Sequence, residues 1–196
     1  LEYLPEDGLV ENLTTLFLLA SCVVSVYRIF HAPAGARAHY YILWSFLAFL
    51  FFFVTGEEIS WGQRIFNFGT SDFFREHNLQ NETNLHNLVI GQVKINKLVF
   101  SQLMGIAIGF YFILLRPLAA KTGFFNRMVH LFGVPLPRWE HIIALIISLI
   151  LTSQYHLMKA AELREFAFAV ILFLVLLYPA EVHIRSGHRG SSDPGE

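Results

Sequence analysis

Charge is scarce in this sequence and cysteine is nearly absent. Asp, Glu, Lys and Arg together make up 15% of the 196 residues, against about 25% in an ordinary soluble domain. Cys22 is the single thiol and lies inside an apolar run, which excludes an intrachain disulfide and a thiolate metal cluster. It reads as a small buried apolar residue. There is no basic run, no basic patch interleaved with aromatics, and the net charge is −1, so nucleic acid is removed from the expected partners. A glycine-rich phosphate loop is also missing. Leu1 in place of an initiator methionine is expected where a chain is processed or where its first residues are missing. The acidic start, LEYLPEDGLVE, lacks the basic n-region of a signal peptide.

What is abundant is apolar. Hydrophobic residues make up 55% of the chain, mean hydropathy is +0.50, and Phe alone supplies 20 residues. These residues fall in blocks about as long as a bilayer core, with the charges between them. Five segments reach the roughly 17–25 residues that a spanning helix needs: about 9–30, 39–55, 98–118, 139–157 and 166–182. A helix satisfies its own backbone polar groups in lipid, so all five are read as helices. The expected fold is all-α: a single transmembrane domain over residues 1–185, a polytopic bundle of about five spans. Residues 56–96 form an interfacial polar segment between helices 2 and 3, and residues 186–196 a flexible, polar tail.

Lys and Arg in the connections set the orientation. With the N-terminus outside, eight cations fall inside (Arg28, Arg37, Arg116, Lys121, Arg127, Arg138, Arg185, Arg189) and six outside (Arg64, Arg75, Lys94, Lys97, Lys159, Arg164). The acidic residues gather on the outer side. The expectation is N-out and C-in. In the segment 56–96, Thr70 or Ser71 can cap a short helix through DFFREH, and Asn81 can cap a second through ETNLHNLVIGQV. Both are expected as amphipathic pieces at the outer interface. The inner connection carries a short aromatic helix, FFNRMVHLF, and Glu140 is placed to cap helix 4 through the helix dipole.

Two stretches carry chemistry. In GEEISWGQRIF (56–66), Glu57 and Glu58 end an apolar helix. Neighbouring helix positions point about 100° apart, so the two cannot face one partner. One can face the bundle while the other reaches the headgroups or Arg64. Helix ends collect charge in any membrane protein, so a plain interfacial charge cluster is the competing reading. In NLQNETNLHN (78–87), Glu82 and His86 are four apart, a spacing that on a helix puts both on one face. That fits a divalent metal and equally fits a simple Glu–His hydrogen bond. Further metal ligands would have to come from Glu57, Glu58, Glu11 or His156. A Ser–His–Asp hydrolase has only Ser60 as a nucleophile candidate. A pigment held by one axial His stays open. The span middles lack ionisable groups, which disfavours ion-coupled transport.

At these motifs the chain resembles a group of uncharacterised bacterial multi-pass membrane proteins. The likeness rests on Glu6-Asp7-Gly8 with Glu11, Leu13 and Thr14, on Gly56 to Arg64, and on Asn78, Gln80, Glu82, Asn84, Leu85, His86 and Asn87. It covers roughly the first half of the chain. It implies a bacterial inner-membrane protein and singles out Glu57, Glu58, Arg64, Glu82 and His86, without supplying a reaction.

Two functions are expected on these grounds. The first is a membrane-embedded enzyme or ligand-binding protein with an outward-facing polar pocket for lipid-like substrates. Its catalytic groups would be Glu57, Glu58 and His86, and its ligand-binding groups Arg64, Glu82, Asn84, Asn87, Glu11 and His156. Bound membrane lipid is expected with it. The alternative is a non-catalytic accessory subunit of a larger membrane complex, in which the same cluster only holds the interfacial segment in place.

Overall fold

A computed structural model describes residues 8–85, 87–91, 93–94, 102–154 and 160–180. The described chain is mostly helical. Helix α1 (Leu9–Phe30) is a long apolar run in which three of the four Ser and Thr hydroxyls bond back into their own helix, while Thr15 Oγ1 is buried with no partner among the described residues. Thr14, Ser21 and Ser25 donate to the carbonyls four residues earlier at 2.9, 2.8 and 2.8 Å. A turn holding Pro33 and Gly35 ends α1, and α2 (Ala38–Glu58) returns antiparallel beside it.

A short 3₁₀ turn (Ser60–Gly62) leads into two brief helices, α3 (Gln63–Phe66) and α4 (Asp72–His77). Ser71 stands at the N-cap position of α4, but neither it nor Thr70 makes the expected side-chain cap bond. The next stretch differs from expectation. Among the described residues of 78–94, none after Asn81 is helical; they form turns and a two-stranded antiparallel pairing of β1 (Val89–Ile90) with β2 (Val93–Lys94). Asn side chains there bond nearby backbone groups, the competition that disfavours helix in Asn-rich sequence. Residues 82–85 are not helical, contrary to the helix expected to carry Glu82 and His86, and His86 itself lies outside the described residues.

The chain then runs as one rod through α5 (Met104–Gly109), a π-helical stretch (Phe110–Leu115) and α6 (Arg116–Lys121). Helix α7 (Gly123–Phe132) is the aromatic helix expected from the sequence. Helix α8 (Trp139–Gln154) begins with Glu140 in its first turn as expected. The direct cap is made by its neighbour: His141 Nδ1 accepts the Arg138 N–H at 3.2 Å. Helix α9 (Ala160–Leu177) completes the bundle.

Helix α1 packs between α2 and α9, and α9 packs on α8. Leu18, Tyr40, Trp44, Phe51, Ala169 and Leu176 form the core of the first group. Phe112, Ile142, Leu145, Ile171 and Val175 join the rod to α8 and α9. Ser21 and Ser25 are both 0% exposed. Small residues at these positions let neighbouring backbones approach, as in membrane helix pairs.

Three helices are long and apolar enough to cross a membrane: α1, α2 and the rod Met104–Lys121. Only 22%, 22% and 11% of the residues in their apolar stretches are buried, so most of these faces look outward and suit lipid. Helix α8 covers 16 described residues up to Gln154, a rise of about 24 Å at 1.5 Å per residue, and residues 155–159 beyond it lie outside the described residues. Helix α9 has 18 residues but carries Glu162, Arg164 and Glu165 near its start.

The bundle has two unlike ends. At one, α1 begins, α2 finishes and α9 begins, and the carboxylates gather; it is called the acidic end below. At the other, the basic end, Arg28 donates to the Leu176 carbonyl at 3.2 Å and lies 5.7 Å from the centre of the Trp44 ring. There α7 bridges α6 and the start of α2.

Candidate functional site at the acidic end

The site begins with a reversal of backbone hand. After α2, Ser60, Trp61 and Gly62 take φ of 46°, 54° and 80°. For Ser and Trp this left-handed conformation costs roughly 1–2 kcal/mol per residue, so it persists only where surrounding contacts enforce it. Those contacts are present. The turn folds Trp61 back over Gly56, where an added Cβ would lie 2.9 Å from indole carbons. Glycine at 56 is what lets the ring sit there. The Trp61 indole then donates to Glu57 Oε1 at 2.8 Å.

Glu57 is 3% exposed. Its other oxygen accepts the Leu85 backbone N–H at 2.6 Å. A buried carboxylate needs such donors, because an unsatisfied one is very costly. Glu57 thus pins the polar segment to the end of α2 from both sides.

The segment is itself a closed network. Ser60 Oγ donates to Glu82 Oε2 at 2.8 Å. Asn84 Nδ2 donates to Ser60 Oγ at 2.9 Å and to Glu82 Oε2 at 2.8 Å. Asn84 Oδ1 accepts from Asn78 Nδ2 at 2.9 Å and from the Asn87 N–H at 3.1 Å. Both donors and both acceptor sites of that amide are occupied. Asn78 Oδ1 accepts the Gln80 and Glu82 N–H groups at 2.9 and 3.2 Å. Gln63 Oε1 accepts the Thr83 N–H at 2.7 Å. Asn87 Nδ2 donates to Gln80 Oε1 at 2.5 Å.

Glu58 has a different environment. One position on from Glu57, it lies within electrostatic range of Glu165, Glu11 and Glu57. Glu165 in turn feels Glu162, Arg164 and Glu11. Glu11, Glu58 and Glu165, from three helices, therefore lie within electrostatic range of one another. Like charges so placed repel unless a proton or a cation is shared among them.

The sequence-derived candidates accordingly divide. Glu57, Glu82, Asn84 and Asn87 are engaged in holding the loop, and Glu11 and Glu58 face the carboxylate group. Arg64 lies in α3, but its side chain is outside the described residues, as are His86 and His156. Among the described residues, no group of three His, Cys, Asp or Glu side chains is arranged to hold a metal ion. Ser60 is buried and its hydroxyl is bonded to Glu82 and Asn84, so it is not exposed as a nucleophile. Sequence reasoning missed Glu165 as a site residue, along with the supporting roles of Trp61, Gln63 and Asn78. Glu165 had a signal: it stands at the start of an apolar segment, as Glu11 does. Comparison with protein-family models, with curated proteins and with solved structures returns no match.

Proposed function

We propose that the chain is a membrane-embedded ligand-binding protein or enzyme whose working group is the carboxylate cluster of Glu11, Glu58 and Glu165. The single observation that carries this is that carboxylates from three separate helices, Glu11, Glu58 and Glu165, lie within electrostatic range of one another at one end. The polar segment from Ser60 to Leu88 serves this group as a rigid cover, pinned by Glu57. In this reading α8 and α9 also cross the bilayer, giving five spans. The acidic end lies outside, the basic end in the cytoplasm, and the membrane is a bacterial inner membrane. The cluster then stands at headgroup depth. Carboxylates recognise amines and hydroxyls, so the ligand is a lipid-like molecule whose headgroup carries one or the other. Glu58 is the acid/base candidate.

The test is a lipid analysis of protein purified in mild detergent, comparing the parent with Glu58→Gln and Glu165→Gln. The reading predicts that one headgroup class is retained by the parent and depleted in both folded variants. An identical lipid profile in all three contradicts it. A second reading, an accessory subunit, is favoured by the sparse burial of the rod, 11% of whose apolar stretch is covered by its own chain. Stoichiometric partner subunits in the same purification would support it.

A further inference from the structure

The basic end holds a cleft of about 680 Å³ between the turn after α1, the end of α6 and α7. Arg37, Lys121, Arg127 and His130 line it, and no acidic residue does. Among the described residues, none of these four side chains is bonded to a carboxylate. Two helices also start at its walls. Arg37 is the N-cap residue of α2 and Thr122 that of α7, and neither helix has a side-chain cap. Helix N-termini carry partial positive charge and free N–H groups, which favours an anion.

A second observation points the same way. A smaller cleft of about 380 Å³ shares Tyr40, His130 and Gly133 with the first and adds Arg28 and Trp44. Trp44 is 3% exposed, and its Nε1–H has no acceptor among the described residues. A buried donor without a partner is uncommon and marks a place where an acceptor is expected. Gly133 sits against it: an added Cβ there would lie 3.6 Å from Trp44 Nε1. Phe124, exposed at the start of α7, offers an apolar surface beside Lys121.

We infer that this basic cleft binds the phosphate of an anionic ligand, held by Arg37, Lys121 and Arg127 at the N-termini of α2 and α7. A phosphate group provides the negative charge that the cations and helix ends lack. An anionic phospholipid and a soluble phosphate compound share this chemistry. The proposal concerns the end opposite the carboxylate cluster and stands apart from the function proposed there.

The experiment is native mass spectrometry of the full chain in a neutral detergent. It is titrated with short-chain phosphatidylglycerol, with phosphatidylcholine and with inorganic phosphate. Each surface cation contributes roughly fivefold to binding an anionic lipid. The double variant K121Q/R127Q should therefore bind phosphatidylglycerol about 25-fold more weakly than the parent. That result, with phosphatidylglycerol preferred over phosphatidylcholine, identifies a lipid phosphate. Binding of inorganic phosphate that the variant loses, without preference between the lipids, supports the site and assigns it to a soluble phosphate compound. Binding that the double substitution leaves unchanged, or no binding of either anion, overturns the proposal. The parent alone also decides, should the variant fail to accumulate. A phosphatidylglycerol preference that inorganic phosphate competes away upholds the cleft. Equal uptake of both lipids with no phosphate binding refutes it.

Discussion

Glu57→Gln and Glu58→Gln are the same chemical change at adjacent residues, and the structure predicts opposite outcomes for the polar segment. Among its partners, Glu57 accepts hydrogen bonds from the Trp61 indole at 2.8 Å and the Leu85 N–H at 2.6 Å. A glutamine can accept only one of them, and its NH₂ then faces the other donor. One buried donor loses its partner and the remaining bond loses its charge. Hydrogen bonds to a charged group are worth about 1.5–3 kcal/mol, and an unsatisfied buried group costs about 1–3 kcal/mol. A net loss of about 2–3 kcal/mol follows. The loss falls on local opening of the segment, because these bonds tie it to α2. At 1.4 kcal/mol per factor of ten, amide exchange of residues 79–88 should quicken by about 30- to 150-fold in hydrogen–deuterium exchange of the detergent-solubilised protein. Glu58→Gln should leave the same amides within about twofold of the parent, since among the described residues Glu58 makes no hydrogen bond to the loop. Equal protection in all three proteins, or equal loss in both variants, refutes the assignment of Glu57 as the pin.

Other substitutions test the packing. Gly56→Ala places a Cβ 2.9 Å from the Trp61 indole and should destabilise the segment by about 1–3 kcal/mol; its change in tryptophan emission should vanish when Trp61→Phe is added. Ser21→Leu should cost about 1–3 kcal/mol in thermal denaturation, because Ser21 has no exposed surface and overpacking there must displace a neighbouring helix. Ser21→Ala should cost under about 1 kcal/mol, since it removes only a bond within α1. Arg28→Ala removes the bond to the Leu176 carbonyl and the cation over Trp44, and should lower stability by about 2–3 kcal/mol.

The helices were the legible part of this chain. Apolar run length alone places α1 at Leu9–Phe30, as observed, and predicts α2 to within a few residues of its end at Glu58. Local signals also located α4 and α7. The loop was not legible, because Asn78 and Asn84 act through side-chain bonds to partners that are not in helical register. Periodicity sees Leu85, Leu88 and Val89 as a stripe; it cannot see that Asn78 Oδ1 has captured two backbone N–H groups. Glu57 and Glu58 were legible as a pair facing different ways, but which one faces the loop required the left-handed turn at Ser60. The meeting of Glu11 and Glu58 with Glu165 depends on α9 packing against α1, a contact between the two ends of the sequence with no local signature.

The most direct test of the carboxylate cluster as the working centre is a cryo-electron microscopy map of the protein purified with its native lipids. The account predicts non-protein density between Glu11, Glu58 and Glu165, at headgroup depth beneath the loop. A map with no density among these carboxylates, and with a second subunit seated over the polar segment, contradicts it.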